Sequence, residues 1–262
     1  MSTPTYCYWS VGDGEYAEML RTTVRSARET GIDTDFHIWA DRAIDGAVVH
    51  PVTSFGNRWG CLFKFDFLRD RVRALDYDYV IWIDADTFFV RNPGDVLRVM
   101  HGSPVHAALE CDACSRQNTR SDWWDCPLLM YVWLMQMKGV RSRSIFNVNG
   151  GFFILHRQAI DTFCRLAVDF LEFCRRHGYE FVDEVALAYV THMLCADPYP
   201  HTLSATADLW ASDWTGCYKD RLPDGQPWTT THYFTGEPMT VNPAIVHAMR
   251  SKTALMASPI GR

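Results

Sequence analysis

Tyr79-Val80-Ile81-Trp82-Ile83-Asp84-Ala85-Asp86 decides the fold: an apolar run of β-branched and aromatic side chains stops abruptly at two acids one residue apart. Such a run reads as a strand buried on both faces, the kind found in the middle of an α/β sheet. An ionised carboxylate at the end of a buried strand needs a partner or water. In a strand or its extension, positions i and i+2 point to the same side, so Asp84 and Asp86 are placed to converge on one cation. Carboxylate oxygens suit Mg²⁺ or Mn²⁺, which take few carboxylates together with substrate phosphates. The competing reading makes the two acids turn formers or a helix N-cap, since Asp is common where strands end.

Outward from this run, 6–11 reads as a first strand, with Gly12-Asp13-Gly14 as a turn. Ala17, Leu20, Val24 and Ala27 recur at helical spacing, and Gly31 stops the helix. Short strands are predicted over 35–39 and 47–52, then a helix over 62–75 that leads into the carboxylate strand. The resulting βαββαβ rhythm predicts an α/β sheet with helices on both faces. In the second half, a strand is predicted at 105–109, a loop rich in Cys and Trp over 110–127, and a core helix in the apolar run 128–135, with a surface that leans on a membrane or an apolar acceptor as its minority reading. A short apolar strand follows at 152–155 behind Gly150-Gly151, read as a turn or a close approach to a ligand. Helices are predicted around 159–176 and 182–195, and short strands and loops after Pro198. No repeat, low-complexity tract or linker divides the chain.

At 48% hydrophobic and 21% charged, the composition fits a soluble globular protein. Its departure is aromatic content, with 10 Trp and 11 Tyr, whose faces pack in cores and also stack on nucleobases and sugars. A formal net charge of −6 speaks against a protein that holds nucleic acid by electrostatics alone. The nine cysteines are odd in number and no signal segment opens the chain, so a reducing cytosol is expected, with a peripheral place at the inner membrane as the alternative. Cys164 and Cys174 read as small core residues. Cys111, Cys114 and Cys126 with His106 or His101 form a minority zinc reading. No run reaches the ~20 apolar residues that span a bilayer.

The ordered motifs Gly14-Glu15-Tyr16, Lys64, Asp84-Ala85-Asp86, Asn149-Gly150-Gly151-Phe152, Asp183-Glu184 and His247 resemble the retaining GT-A glycosyltransferases. The likeness is to family eight (the glycogenin and bacterial galactosyltransferase group), with family thirty-four as a relative. It covers most of the chain as short motifs. It implies one GT-A domain over 1–262, Rossmann-like with a mixed central sheet. Residues 1–100 would form the nucleotide-binding half and 101–262 the donor-sugar and acceptor half. The implied ligands are Mn²⁺ (or Mg²⁺) and a UDP-sugar.

The resemblance assigns Asp84, Asp86 and His247 to the metal, with Asp84 also on the ribose. It places Tyr16 against the uracil, and Lys64 near the donor sugar and phosphate. Asn149, Gly150 and Gly151 would line the sugar pocket, and Asp183 would lie beside the sugar, where its bland alternative is a helix cap. Tyr8 and Ser10, at the end of the first strand, are expected nucleotide contacts. The family's Lys after its His is matched by Arg250 or Lys252, although the usual Gly and Pro-Trp are absent here. Glu184 stands where the family usually has Gln, an acceptor in place of a donor.

The expected activity is transfer of a sugar from a UDP-linked donor, with retention, to a glycan, a modified nucleic acid or a small molecule. Trp123-Trp124 is a candidate acceptor platform. A nucleotidyltransferase would want a Gly-rich basic loop after the first strand, whereas Gly12 to Glu15 is acidic. A non-catalytic carbohydrate-binding protein is the other alternative. Acids at i, i+2 lie too close for glycoside hydrolysis.

Overall fold

The run at 79–83 forms a strand, β4 (Tyr79–Ile83), near the middle of a six-stranded sheet. The computed structural model describes residues 3–52, 62–100, 102–112, 121–142, 144–195, 208–212, 228–231 and 238–248. The first half supplies β1 (Tyr6–Gly12), α1 (Glu15–Glu29), β2 (Phe36–Ala40), β3 (Val48–Pro51) and α2 (Phe63–Asp70), in the predicted order. Helix α2 is shorter than expected, because a separate 3-10 turn at Val72–Ala74 takes over the end of the predicted span. The second half supplies β6 (Val105–Asp112), α3 (Leu128–Met137), β9 (Phe146–His156), α4 (Ile160–Arg176) and α5 (Asp183–Leu194). In the sheet the order is β3-β2-β1-β4-β9-β6, with β3 to β4 parallel and β9 antiparallel to both its neighbours. The fold is therefore mixed α/β on a mixed central sheet, built from strands of both halves.

Strand alternation splits the interior into two cores. Cys7, Trp9, Val11, Trp82 and Phe153 face α2, α3, α4 and α5, while Tyr8, Phe36, Ile81, Ile83 and Phe152 face α1. Trp9 meets Trp82 edge-on at 4.6 Å between ring centroids, and Trp82 stacks on Phe153 at 6.3 Å. Pairs of this kind add ~0.5–1.5 kcal/mol beyond their buried area. Cys164 and Cys174 are buried small residues of the same layer, as expected.

Three local expectations change. Gly150 and Gly151 lie inside the long strand β9, not in a turn before it. Ala107 pairs with Phe153 but Ala108 with Asn149, so the glycines sit in a bulge opposite β6. The expected loop contains a hairpin, β7 (Asp122–Trp123) and β8 (Cys126–Pro127), whose central residues Trp124 and Asp125 have φ of 51° and 59°. Two left-handed residues between short strands match the handedness of a two-residue hairpin. Finally, α3 buries Tyr131, Leu134 and Met135 but leaves Leu129, Trp133 and Met137 exposed, so it is only half a core helix. No described helix is long and apolar enough to cross a membrane.

At the sheet's far edge, His37 and His50 approach to 3.0 Å and His50 stacks on Trp39 at 4.5 Å. Burial and then the neighbouring His50 hold His37 below its ordinary pKa, although Asp35 pulls it up; burial lowers His50. Histidines with folded pKa below the unfolded value stabilise the fold above that value and lose the contribution as pH falls. The melting temperature is expected to drop between about pH 7 and 5, and His50→Gln to flatten that slope. Melting curves across that window check it.

Candidate metal centre

β4 ends at Ile83, and Asp84-Ala85-Asp86 forms the turn into β5 (Thr87–Phe89). The acids are thus not two positions of one extended strand, as the sequence implied. They converge because a third segment is brought to the turn. β13 (Ile245–His247) pairs antiparallel with β5, setting His247 opposite Thr87, and β10 (Trp210–Ser212) flanks β13. The Ala248 amide then donates to the Asp86 carbonyl at 2.8 Å.

His247 Nε2 lies 3.1 Å from Asp86 Oδ1 and 3.7 Å from Asp84 Oδ2. One ligand atom from each of the three lies within 4.8 Å of the others, and this is the one such cluster among the described residues. Two carboxylates and an imidazole suit a divalent ion. Neighbouring ligands on ~2.1 Å bonds lie ~3 Å apart, the scale of the separations seen between His247 and the two acids. The residues present therefore fit a metal ion.

Lys64 stands behind this cluster. Only 4% exposed, it places Nζ 2.6 Å from Asp183 Oδ2, 3.0 Å from Asp84 Oδ1 and 3.1 Å from the Gly150 carbonyl. Its ammonium also lies 4.6 Å from the Trp82 ring. A lysine on an apolar helix can snorkel its charge out to water, but here the charge points inward, to Asp183 and Asp84. Trp82 Nε1 donates to Asp84 Oδ1 at 2.8 Å, so two donors hold that oxygen and Asp84 Oδ2 is the one turned to His247. Trp82 was not singled out from the sequence, yet it lies at i−2 from Asp84, and the alternation used to pair the two acids also pairs Trp82 with Asp84.

Asp183 begins α5 but makes no cap: Val182 is the N-cap residue, without a side-chain capping bond. Burial pushes its carboxyl above the ordinary range, Lys64 pulls it back, and the Asp84 charge adds to the rise. Next to it, Glu184 accepts from the Gly150 amide at 3.1 Å, and Asn149 Oδ1 accepts from the Gly151 amide at 2.8 Å. Side chains at the two glycines would collide. A Cβ on Gly150 would lie 2.9 Å from Asp183 Oδ2, and one on Gly151 would lie 2.9 Å from Asn149 Oδ1 and from His247 Cε1. The glycines let β9 approach both the acid pair and the histidine.

The nucleotide-side candidates divide. Tyr8 is fully buried and stacks on Phe36 at 4.8 Å, and the Ser10 hydroxyl donates to the Ile83 carbonyl at 2.7 Å. Both side chains belong to the α1 face of the sheet, which corrects the expectation that they touch a ligand. Tyr16, on the first turn of α1, is half exposed. The sheet order reverses direction between β1 and β4, and Tyr16 and Asp84 follow the carboxyl ends of those strands. Open α/β sheets bind ligands at such a place. Arg250 and Lys252 lie outside the described residues.

Trp123 is buried against Tyr131 at 5.0 Å, so it is a core residue and not a stacking platform. Trp124 is half-buried and stacks on the same tyrosine at 6.3 Å. Of the zinc reading, Cys114 and His101 lie outside the described residues; His106 is buried in β6, and burial raises the Cys126 thiol to about 11. No protein-family model matches the chain, and no curated protein matches it.

Proposed function

We propose that the chain is a metal-dependent glycosyltransferase of GT-A architecture that takes a sugar from a UDP-linked donor, with retention, and passes it to a glycan. The observation that carries this reading is the convergence of Asp84, Asp86 and His247 beside the buried Lys64–Asp183 pair. Mn²⁺ or Mg²⁺ held by the three would supply Lewis-acid stabilisation to a departing diphosphate. Lys64 and Trp82 hold Asp84 Oδ1 and so fix the rotamer of Asp84. Lys64 also spreads positive charge behind the phosphate side of the site, and Asp183 offers negative charge where an oxocarbenium-like carbon would form. The bulge at Gly150-Gly151 leaves backbone rather than side chains against the sugar. Tyr16 presents an aromatic face on the nucleotide side.

The test is donor hydrolysis across UDP- and GDP-sugars. Hydrolysis of a UDP-sugar should vanish in EDTA and return with Mn²⁺ better than with Ca²⁺. Asp183→Asn should cut kcat ~100-fold while UDP still binds, since only the charged transition state misses the carboxylate. Full turnover in EDTA would remove the metal from the reading. Failure to bind or hydrolyse any nucleotide sugar, with Mn²⁺ bound, would favour a non-catalytic protein.

A further inference from the structure

The two imidazoles on the outermost strands of the sheet have the spacing of two ligands on one ion. Trp39 pairs with His50 across β2 and β3, and alternation puts His37 on the same face as Trp39. His37 Nδ1 and His50 Nε2 lie 3.0 Å apart. Two nitrogens on ~2.1 Å bonds to a single ion, at angles from square to tetrahedral, stand ~3.0–3.4 Å apart.

Each ring is held by its own neighbours. His50 stacks on Trp39 with ring centroids 4.5 Å apart, and Trp39 meets Phe67 of α2 edge-on. On the far side of His37, Nε2 lies 3.3 Å from the Tyr77 hydroxyl, which itself donates to Asp35. Burial, and then the bond to Asp35, raise the Tyr77 phenol, so it keeps its proton and its oxygen accepts from His37 Nε2. That sets the His37 tautomer and turns the Nδ1 lone pair toward His50. Histidines that ligate metals pass their second N–H to such an outer-shell acceptor. Burial holds both rings below their ordinary pKa, which favours the neutral form that binds a cation. His37 is 8% exposed, while His50 is only half-buried on the edge strand and gives an ion its way in.

We propose that His37 Nδ1 and His50 Nε2 form a second cation site, for a transition-metal ion of the Ni²⁺, Cu²⁺ or Zn²⁺ class, with water in its remaining positions. Paired imidazoles without a carboxylate ligand select such ions over Mg²⁺ and Mn²⁺. The ion takes the place of the proton that His50 Nε2 donates to His37. His50 then carries that proton on Nδ1, so both ligands stay neutral and no proton is lost. Strand β1 stands between β2 and β4, which separates this pair from the Asp84, Asp86 and His247 cluster.

Calorimetric titration of the full chain with Ni²⁺ tests this, in an Asp86→Ala background so that the Asp84 centre does not compete. Asp86→Ala should bind Ni²⁺ and melt at a higher temperature in its presence. Adding His50→Gln should remove one equivalent of Ni²⁺ and most of that rise. Tyr77→Phe, also in Asp86→Ala, keeps both ligands but removes the acceptor that orients His37, and should weaken Ni²⁺ ~10-fold or more. Mn²⁺ should show no binding that depends on His50. Ni²⁺ binding that is the same with and without His50, or absent from Asp86→Ala, overturns the proposal. Unchanged Ni²⁺ affinity in Tyr77→Phe would overturn the part given to the Tyr77–Asp35 relay.

Discussion

Replacing Lys64 by methionine is expected to destabilise the chain by about 3–5 kcal/mol, the usual effect of stranding one partner of a buried ion pair. Asp183 is buried, and Lys64 is the charge that offsets its desolvation. Without that ammonium the carboxylate must either take up a proton or remain ionised and poorly solvated. The deficit should therefore shrink as pH falls toward the ordinary carboxylate range, where the buried acid is neutral. It should grow toward alkaline pH. Adding Asp183→Asn to Lys64→Met removes the stranded charge and should recover most of the loss, giving a non-additive double-mutant cycle. Urea unfolding of the four proteins at two pH values checks this. Additive losses would mean that the 2.6 Å contact contributes little.

The second large effect concerns the metal ligands. Asp86→Ala should weaken Mn²⁺ binding by more than the ~10–100-fold that follows loss of an outer-shell partner, because a direct ligand is removed. Wild type should gain about 2.7 kcal/mol of stability at a metal concentration one hundred times its Kd. Asp86→Ala at the same concentration should gain almost none. Its metal-free stability should stay near that of wild type, since the change removes one of two neighbouring carboxylates. Thermal melts with and without Mn²⁺ distinguish this from general damage: a variant that melts early in both conditions would make Asp86 a structural residue.

Much of the fold was legible because its strands are continuous apolar runs separated by turn residues, and the order of elements followed. What the runs hide is facing. In a strand buried on both sides, alternation carries no polar label, so Tyr8 and Ser10 could not be told from ligand contacts. Lys64 sits among Phe63, Phe65 and Phe67, a helix with no clear polar side, and only its partners 20 and 119 residues away reveal why a cation is buried there. The glycine pair reads locally as a turn, because the bulge that holds it depends on the register with β6. Asp183 looks like a cap from its position at a helix start, but Val182 takes the N-cap position and the Asp183 carboxylate accepts from Lys64 instead. Asp84 and Asp86 were found because a buried strand ending in two acids is locally anomalous, whereas His247 came only from the family resemblance. Their joining to His247 depends on β13, which no local pattern predicts.

The most direct test of the account is a calorimetric titration of the full chain with UDP, in EDTA and then in saturating Mn²⁺. If the ion bridges the Asp84, Asp86 and His247 cluster to a diphosphate, Mn²⁺ should tighten UDP binding at least ~10-fold, and by linkage UDP should tighten Mn²⁺ by the same factor. UDP affinity that is equal in EDTA and in Mn²⁺, with Mn²⁺ independently shown to be bound, would contradict the account.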